Sequence, residues 1–249
     1  SSMRWRWACS AASLSPKGNE AGVFPRGTAP ILYTDNFVWG GKLFLDANKT
    51  IPAPRQPIRV GGGTYASGTT PGRVIGSGSS AVGASPSSPD VRYYRIRRDY
   101  KLMAADDIRR DASETNEIPP EQVTQLQMDA ILAQFELDWN EWPVQYGAPY
   151  IERNGMPGYQ APPAFGLTFN VDSLISGKYD EPGVAGANPN APADQVMWTV
   201  SNDLDPARTL ANLYSEPLGL ELQLTTWAYK RTDHLGNIIF RRLKMINKG

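Results

Sequence analysis

The sequence predicts a mainly β fold: an antiparallel, sandwich-like domain with one amphipathic helix packed on it. Three observations lead there. Glycine (23 residues) and proline (21 residues) are abundant while only 20% of residues are charged, which suits many turns and short strands better than long helices. Several runs alternate apolar and polar residues with the two-residue period of a strand. Helical periodicity is sustained in one stretch only, residues 119–139.

The elements follow in order. In ILYTDNFVWGGKLFLD (31–46), two β-rich runs flank Gly40-Gly41, a pair that tolerates the positive φ of a hairpin turn. Residues 57–66 and 70–76 read as short strands broken by glycine. GSGSSAVGASPSSPD (76–90) reads as an exposed loop. VRYYRIRRDYKL (91–102) alternates apolar and basic residues over its first half, as a half-buried strand does. The helix is expected to start at Pro119-Pro120, because proline is tolerated in a first turn, and to pack through Met128, Ile131, Leu132, Phe135 and Trp139, with Val123 and Leu126 nearby. QVMWTVSND reads as a strand and residues 220–246 as a long hairpin. In its first arm Leu220, Leu222 and Leu224 point to a core, and Glu221, Gln223 and Thr225 to water. Trp39, Trp139, Trp142, Trp198 and Trp227 fall inside periodic segments and are expected in the core, unlike Trp5 and Trp7.

A chain of 249 residues can bury a large core, and residues 22–249 read as a single β-rich domain. Residues 1–21 form a leader outside it. Ser1-Ser2 ahead of Met3 reads as an expression scar, and the arginines that follow precede no apolar stretch of the kind a signal peptide needs.

Counting excludes several chemistries. Cys9 is the only cysteine, so no intramolecular disulfide and no cysteine-based metal cluster can form. His234 is the only histidine and sits in the turn-like TDHLGN, where a solvated turn residue is the simpler reading than a member of a triad. The net charge is zero, and the basic strand around Arg92, Arg95, Arg97, Arg98 and Lys101 is followed at once by acids, so no nucleic-acid partner is expected. No apolar run approaches the roughly 18 residues of a membrane-spanning helix, so no membrane insertion is expected either.

The segments GVFPRGT (22–28), FVWGGKL (37–43), YYRIRRDY (93–100), DWNEWPVQYGAP (138–149), ADQVMWTVSNDLD (193–205), PLGLELQLTTWAYKR (217–231) and NIIFRRLKMINKG (237–249) together resemble the N-terminal module of large secreted surface proteins. These are proteins of the kind exported by a type IX secretion system, with fibronectin-type repeats and a C-terminal sorting domain further on. The resemblance implies an extracellular or cell-surface location, glycans or other surface proteins as partners, and further domains in the parent polypeptide. It implies no reaction and carries over no catalytic residues.

Relatives in that family have an oxygen-rich, calcium-like loop after the GAP segment. Here Glu152-Arg153-Asn154-Gly155-Met156-Pro157-Gly158-Tyr159 has lost that character, because Met156 offers no oxygen and Arg153 repels a cation. The better oxygen cluster for Ca2+ is Asp194 with Asn202, Asp203 and Asp205. Hydrolysis without histidine would need a carboxylate pair in unequal environments. Asp138 and Glu141, beside Trp139 and Trp142, are the candidates for acid and base, since aromatic surfaces stack on sugars and raise a carboxyl pKa. Two functions therefore stand side by side: a structural or binding module of a larger secreted protein, and, as the alternative, a carboxylate-dependent glycoside hydrolase or a divalent-metal-dependent hydrolase.

Overall fold

The computed structural model describes residues 22–23, 30–32, 37–63, 68–97, 99–149, 193–230, 232 and 234–249. The leader with Trp5 and Trp7, the loop at 152–159 and the side chain of His234 lie outside the described residues. Among these residues, antiparallel strand pairs stand beside three helices, and helix and strand take comparable shares, 33% and 30%. The chain divides into two compact units. One gathers described residues up to Tyr93 with Thr199–Leu224 and Arg242–Gly249; the other gathers the described residues of Tyr94–Trp198 and Thr225–Arg241.

In the first unit, β1 (Gly22–Val23) pairs with β2 (Pro30–Leu32), and β3 (Val38–Lys42) pairs antiparallel with β4 (Ile58–Gly62). Gly40-Gly41 therefore lie inside β3 and not at a turn, which corrects the expected 31–46 hairpin. The glycines serve close approach. Trp39 stands opposite Gly61, where a Cβ would collide with the indole, and Gly41 faces Leu218. Trp39, Leu218 and Leu222 form a core cluster joined by Phe37, Leu220 and Leu243. The opposite face of the ribbon carries Val38, Ile58 and Val60, all exposed. Its far end is closed by Asp46, whose carboxylate accepts from Thr50 N (2.9 Å), Thr50 Oγ1 (2.8 Å) and Ile51 N (2.6 Å).

β5 (Thr70–Pro71) follows, then β6 (Val74–Ile75) paired with β7 (Val82–Gly83), so that residues 76–90 are mostly exposed but anchored. The anchor is Asp90, fully buried, which accepts from Arg73 N (2.7 Å), Arg73 Nη1 (3.0 Å) and the Ser88 hydroxyl.

The largest sheet has the strand order β11-β10-β9-β5, with β8 also pairing with β9. Its strands are β8 (Tyr94–Arg97), β9 (Gln195–Asn202), β10 (Leu220–Ala228) and β11 (Ile239–Asn247). β9, β10 and β11 each contribute residues to both units. Contrary to the alternation expected for the 220–246 hairpin, β10 is buried on both faces: Glu221 is only 2% exposed, and Gln223 and Thr225 are buried as well. The reason is pairing within the protein: the Glu221 carboxylate accepts from Val74 N of β6 and from Gln223 Nε2, so this face is hydrogen-bonded instead of wet.

The second unit holds α1 (Ala105–Asn116) and α2 (Gln125–Asn140), with α2 packed against α1 and β8. α2 starts later than the prolines imply. Residues 120–122 form a 3-10 turn, and the helix begins only where Thr124 and Gln127 close a capping box. Met128, Ile131, Phe135 and Trp139 are buried as expected and Leu132 is half-buried, but Leu126 lies outside the stripe at 79% exposure. α1 was not expected. Ile108 and Ala112 are its buried apolar residues, and Asp111, buried with them, lies 3.9 Å from Arg95. A further helix, α3 (Pro206–Leu213), belongs to the first unit and is capped by Asp205. All five tryptophans of the periodic segments are buried.

The arginines of β8 are held by carboxylates and an aromatic ring. Arg95 lies 4.4 Å over the Phe135 ring, and Arg97 bonds Asp99 through Nε (2.5 Å) and Nη2 (3.1 Å). Burial works to raise the Asp99 carboxyl, but the hydrogen bond and charge of Arg97, with the charge of Lys230, outweigh it and hold the carboxyl below its usual value. The sign follows directly. A depressed folded pKa gives stability that is fully present above the unfolded value of about 3.9 and is lost as pH falls through the lower folded value. Asp99→Asn is expected to be less stable than the parent at about pH 7 and to differ less from it at about pH 3, by urea unfolding at the two pH values.

Candidate functional site

The end of α2 brings together the first candidate pair, and the local environment separates their roles. Asp138 is fully buried. Its Oδ2 accepts from the Arg95 backbone N–H (2.9 Å) and its Oδ1 from Gln134 Nε2 (2.7 Å), so the carboxylate fastens α2 to β8. Glu141 is exposed and closes the helix, its own N–H donating to Leu137 O (2.9 Å). The two tryptophans beside them are core residues. Trp142 meets Tyr94 edge-on (6.4 Å between centroids, 86°) and donates Nε1–H to Pro149 O (2.8 Å), while Trp139 packs on Tyr100 at 6.4 Å. Their faces are thus spent on protein contacts, and a sugar would find no aromatic platform on them.

The oxygen cluster proposed for Ca2+ is likewise built into the fold. Asp203, 1% exposed, accepts three backbone N–H bonds: Oδ1 from Gly219 (2.9 Å) and Leu220 (2.7 Å), Oδ2 from Leu218 (2.9 Å). These donors sit at the turn where Gly219 takes φ 81 and the chain enters β10. Asn202 donates Nδ2–H to Gly72 O (2.8 Å) and accepts from Leu204 N (3.1 Å). Asp205 is the N-cap of α3, accepting from Ala207 N (3.0 Å). Asp194 accepts from Lys230 N (2.6 Å) and belongs to the other unit. The three carboxylates of this set each accept from backbone amides, Asp203 from three and Asp205 and Asp194 from one apiece. Among the described residues, no group of three or more His, Cys, Asp and Glu side chains is placed to hold a metal ion. No described helix is long and apolar enough to cross a membrane.

Sequence reasoning missed the polar cluster on β10. Glu221 accepts from Val74 N (2.9 Å) and from Gln223 Nε2 (2.8 Å), and its Oε2 lies 3.4 Å from Lys248 Nζ, which also donates to Val74 O (2.9 Å). The cluster ties β6, β10 and residue 248 together within the first unit. One signal was present: Thr225-Thr226-Trp227 breaks the alternation, which a strand with one wet face would not require.

No protein-family model, no curated protein and no solved structure matches this chain.

Proposed function

We propose that the chain is a non-catalytic structural or binding module of a larger secreted surface protein, with glycans or other surface proteins as its partners. In this reading the antiparallel strands form a mainly β, sandwich-like support with the helices packed on it. The observation that carries the proposal is the use made of the acids. Asp203 clamps three amides, Asp138 fastens α2 to β8, Asp205 caps α3, and Glu221 joins β10 to β6 and Lys248, so the carboxylates best placed for chemistry are building elements. A general acid or base needs its carboxyl presented to substrate within hydrogen-bond reach. The segment resemblance to secreted surface proteins supports the extracellular location.

The test is hydrolysis of chromogenic glycosides and esters, with and without a chelator. The module reading predicts no turnover above the rate without protein, with or without the chelator, and a melting temperature unmoved by the chelator. Turnover that falls at least about a hundredfold in Glu141→Gln, an exposed substitution that leaves the buried Asp138 contacts in place, would establish the hydrolase instead, at the scale usual for a positioned acid or base.

A further inference from the structure

The turn at the far end of the β3–β4 ribbon carries a pattern that the fold does not use. It reads Asp46-Ala47-Asn48-Lys49-Thr50, and Asn48-Lys49-Thr50 is the only Asn-x-Ser/Thr triplet in the chain. Such a triplet, with x other than proline, is the acceptor for N-linked oligosaccharides, and the acid two places ahead completes the longer pattern that bacterial transferases accept.

The geometry sets Asn48 at the apex of this turn. Below it the chain is closed by the Phe44–Pro52 bridge and by Leu45 N, which donates to Ile51 O (2.8 Å). Asp46 accepts from Thr50 N (2.9 Å) and Thr50 Oγ1 (2.8 Å), so the residues two before and two after Asn48 meet beneath it. Lys49, at φ 57 and donating its N–H to Asp46 O (3.1 Å), turns the chain back. Asn48, Lys49 and Thr50 are all exposed, and among the described residues the Asn48 side chain makes no hydrogen bond. An asparagine in a turn ordinarily bonds the nearby backbone. Here Asp46 performs that task, which leaves the Asn48 amide to solvent.

We infer that Asn48 is the attachment site of an N-linked oligosaccharide, transferred to the folded chain from a lipid-linked oligosaccharyl diphosphate. The inference rests on the secreted-module reading, because such a modification belongs to surface loops of exported proteins. In the transfer Asn48 Nδ2 attacks the anomeric carbon of the donor. A carbon–nitrogen bond forms, the bond from that carbon to the diphosphate oxygen breaks, and the lipid diphosphate leaves with the bonding pair. One amide proton passes to water. The folded turn suits this step. Nδ2 is spent on no contact among the described residues, and the bonds that hold Asp46 and Thr50 lie at the surface, where exchanging one partner for another costs little. Loop tips of this kind are where a folded protein tolerates added bulk.

The probe is a purified bacterial oligosaccharyltransferase with its lipid-linked oligosaccharide, incubated with the folded full chain and read by intact mass. A gain of one oligosaccharide per chain is expected. It should be lost in Asn48→Gln and in Thr50→Val and kept in Thr50→Ser, with circular dichroism confirming that these exposed substitutions leave the fold intact. The capped peptide LDANKTI (45–51) presents the same acceptor without the fold, and it should be modified as well. Modification of the peptide but not of the folded chain would mean that the turn withholds Asn48. Refusal of both would mean that the pattern is no acceptor, and a mass gain that survives Asn48→Gln or Thr50→Val would place the sugar elsewhere. Each of these results overturns the inference. Refusal of transfer together with absence of hydrolysis removes this inference and leaves the module reading standing, whereas hydrolytic turnover removes the module reading whatever the transferase does.

Discussion

Asp203→Ala is expected to lower the unfolding free energy by at least about 3 kcal/mol, measured by urea denaturation. The side chain is buried, and its two oxygens accept from the N–H groups of Leu218, Gly219 and Leu220. Removing it strands three donors at the entrance to β10, and each charge-assisted bond of this kind is worth about 1.5–3 kcal/mol. Asparagine cannot rescue the position. Both oxygens receive N–H donors, so either orientation of the amide points an NH2 group at a donor. A loss below about 1 kcal/mol would mean that the turn at 218–220 holds itself.

Trp142→Ala should cost about 3–5 kcal/mol, the range for deleting a large aromatic side chain from a packed core. Trp142 is 1% exposed, meets Tyr94 edge-on and donates to Pro149 O. Its removal leaves a cavity against β8 and frees a carbonyl. Trp142→Phe keeps most of the volume but not the donor, so it should recover part of the loss; equal losses in the two variants would assign the cost to the hydrogen bond alone. A residue whose role was to stack on a sugar would tolerate both substitutions with little change in stability.

Much of the apolar architecture is legible in the sequence because it follows local periodicity. Met128, Ile131, Phe135 and Trp139 recur at helical spacing and are buried together. The start of α2 was legible too: Thr124-Gln125-Leu126-Gln127 has the spacing of a capping box, but Pro119-Pro120 offered a competing start, and they form a separate 3-10 turn instead. α1 escaped because ADDIRRDASETN reads as a charge run, and one of its buried residues, Asp111, lies there beside Arg95. The fate of the candidate acids was the least legible. Asp205 caps its own helix two residues on, which the pattern Asp-Pro announces. Asp138 and Asp203 instead bind amides 43 and 15 residues away, and no local pattern reports such partners. Glu221 was misassigned for a related reason, since strand alternation shows that two faces differ but not that both are covered.

The unfolding free energy of Asp138→Ala tests most directly whether these acids are structural. The account predicts a loss of about 2 kcal/mol or more in urea, because the Arg95 amide is left without its buried acceptor. Stability within about 0.5 kcal/mol of the parent would contradict it, since that is the behaviour of a residue held for chemistry and not for the fold.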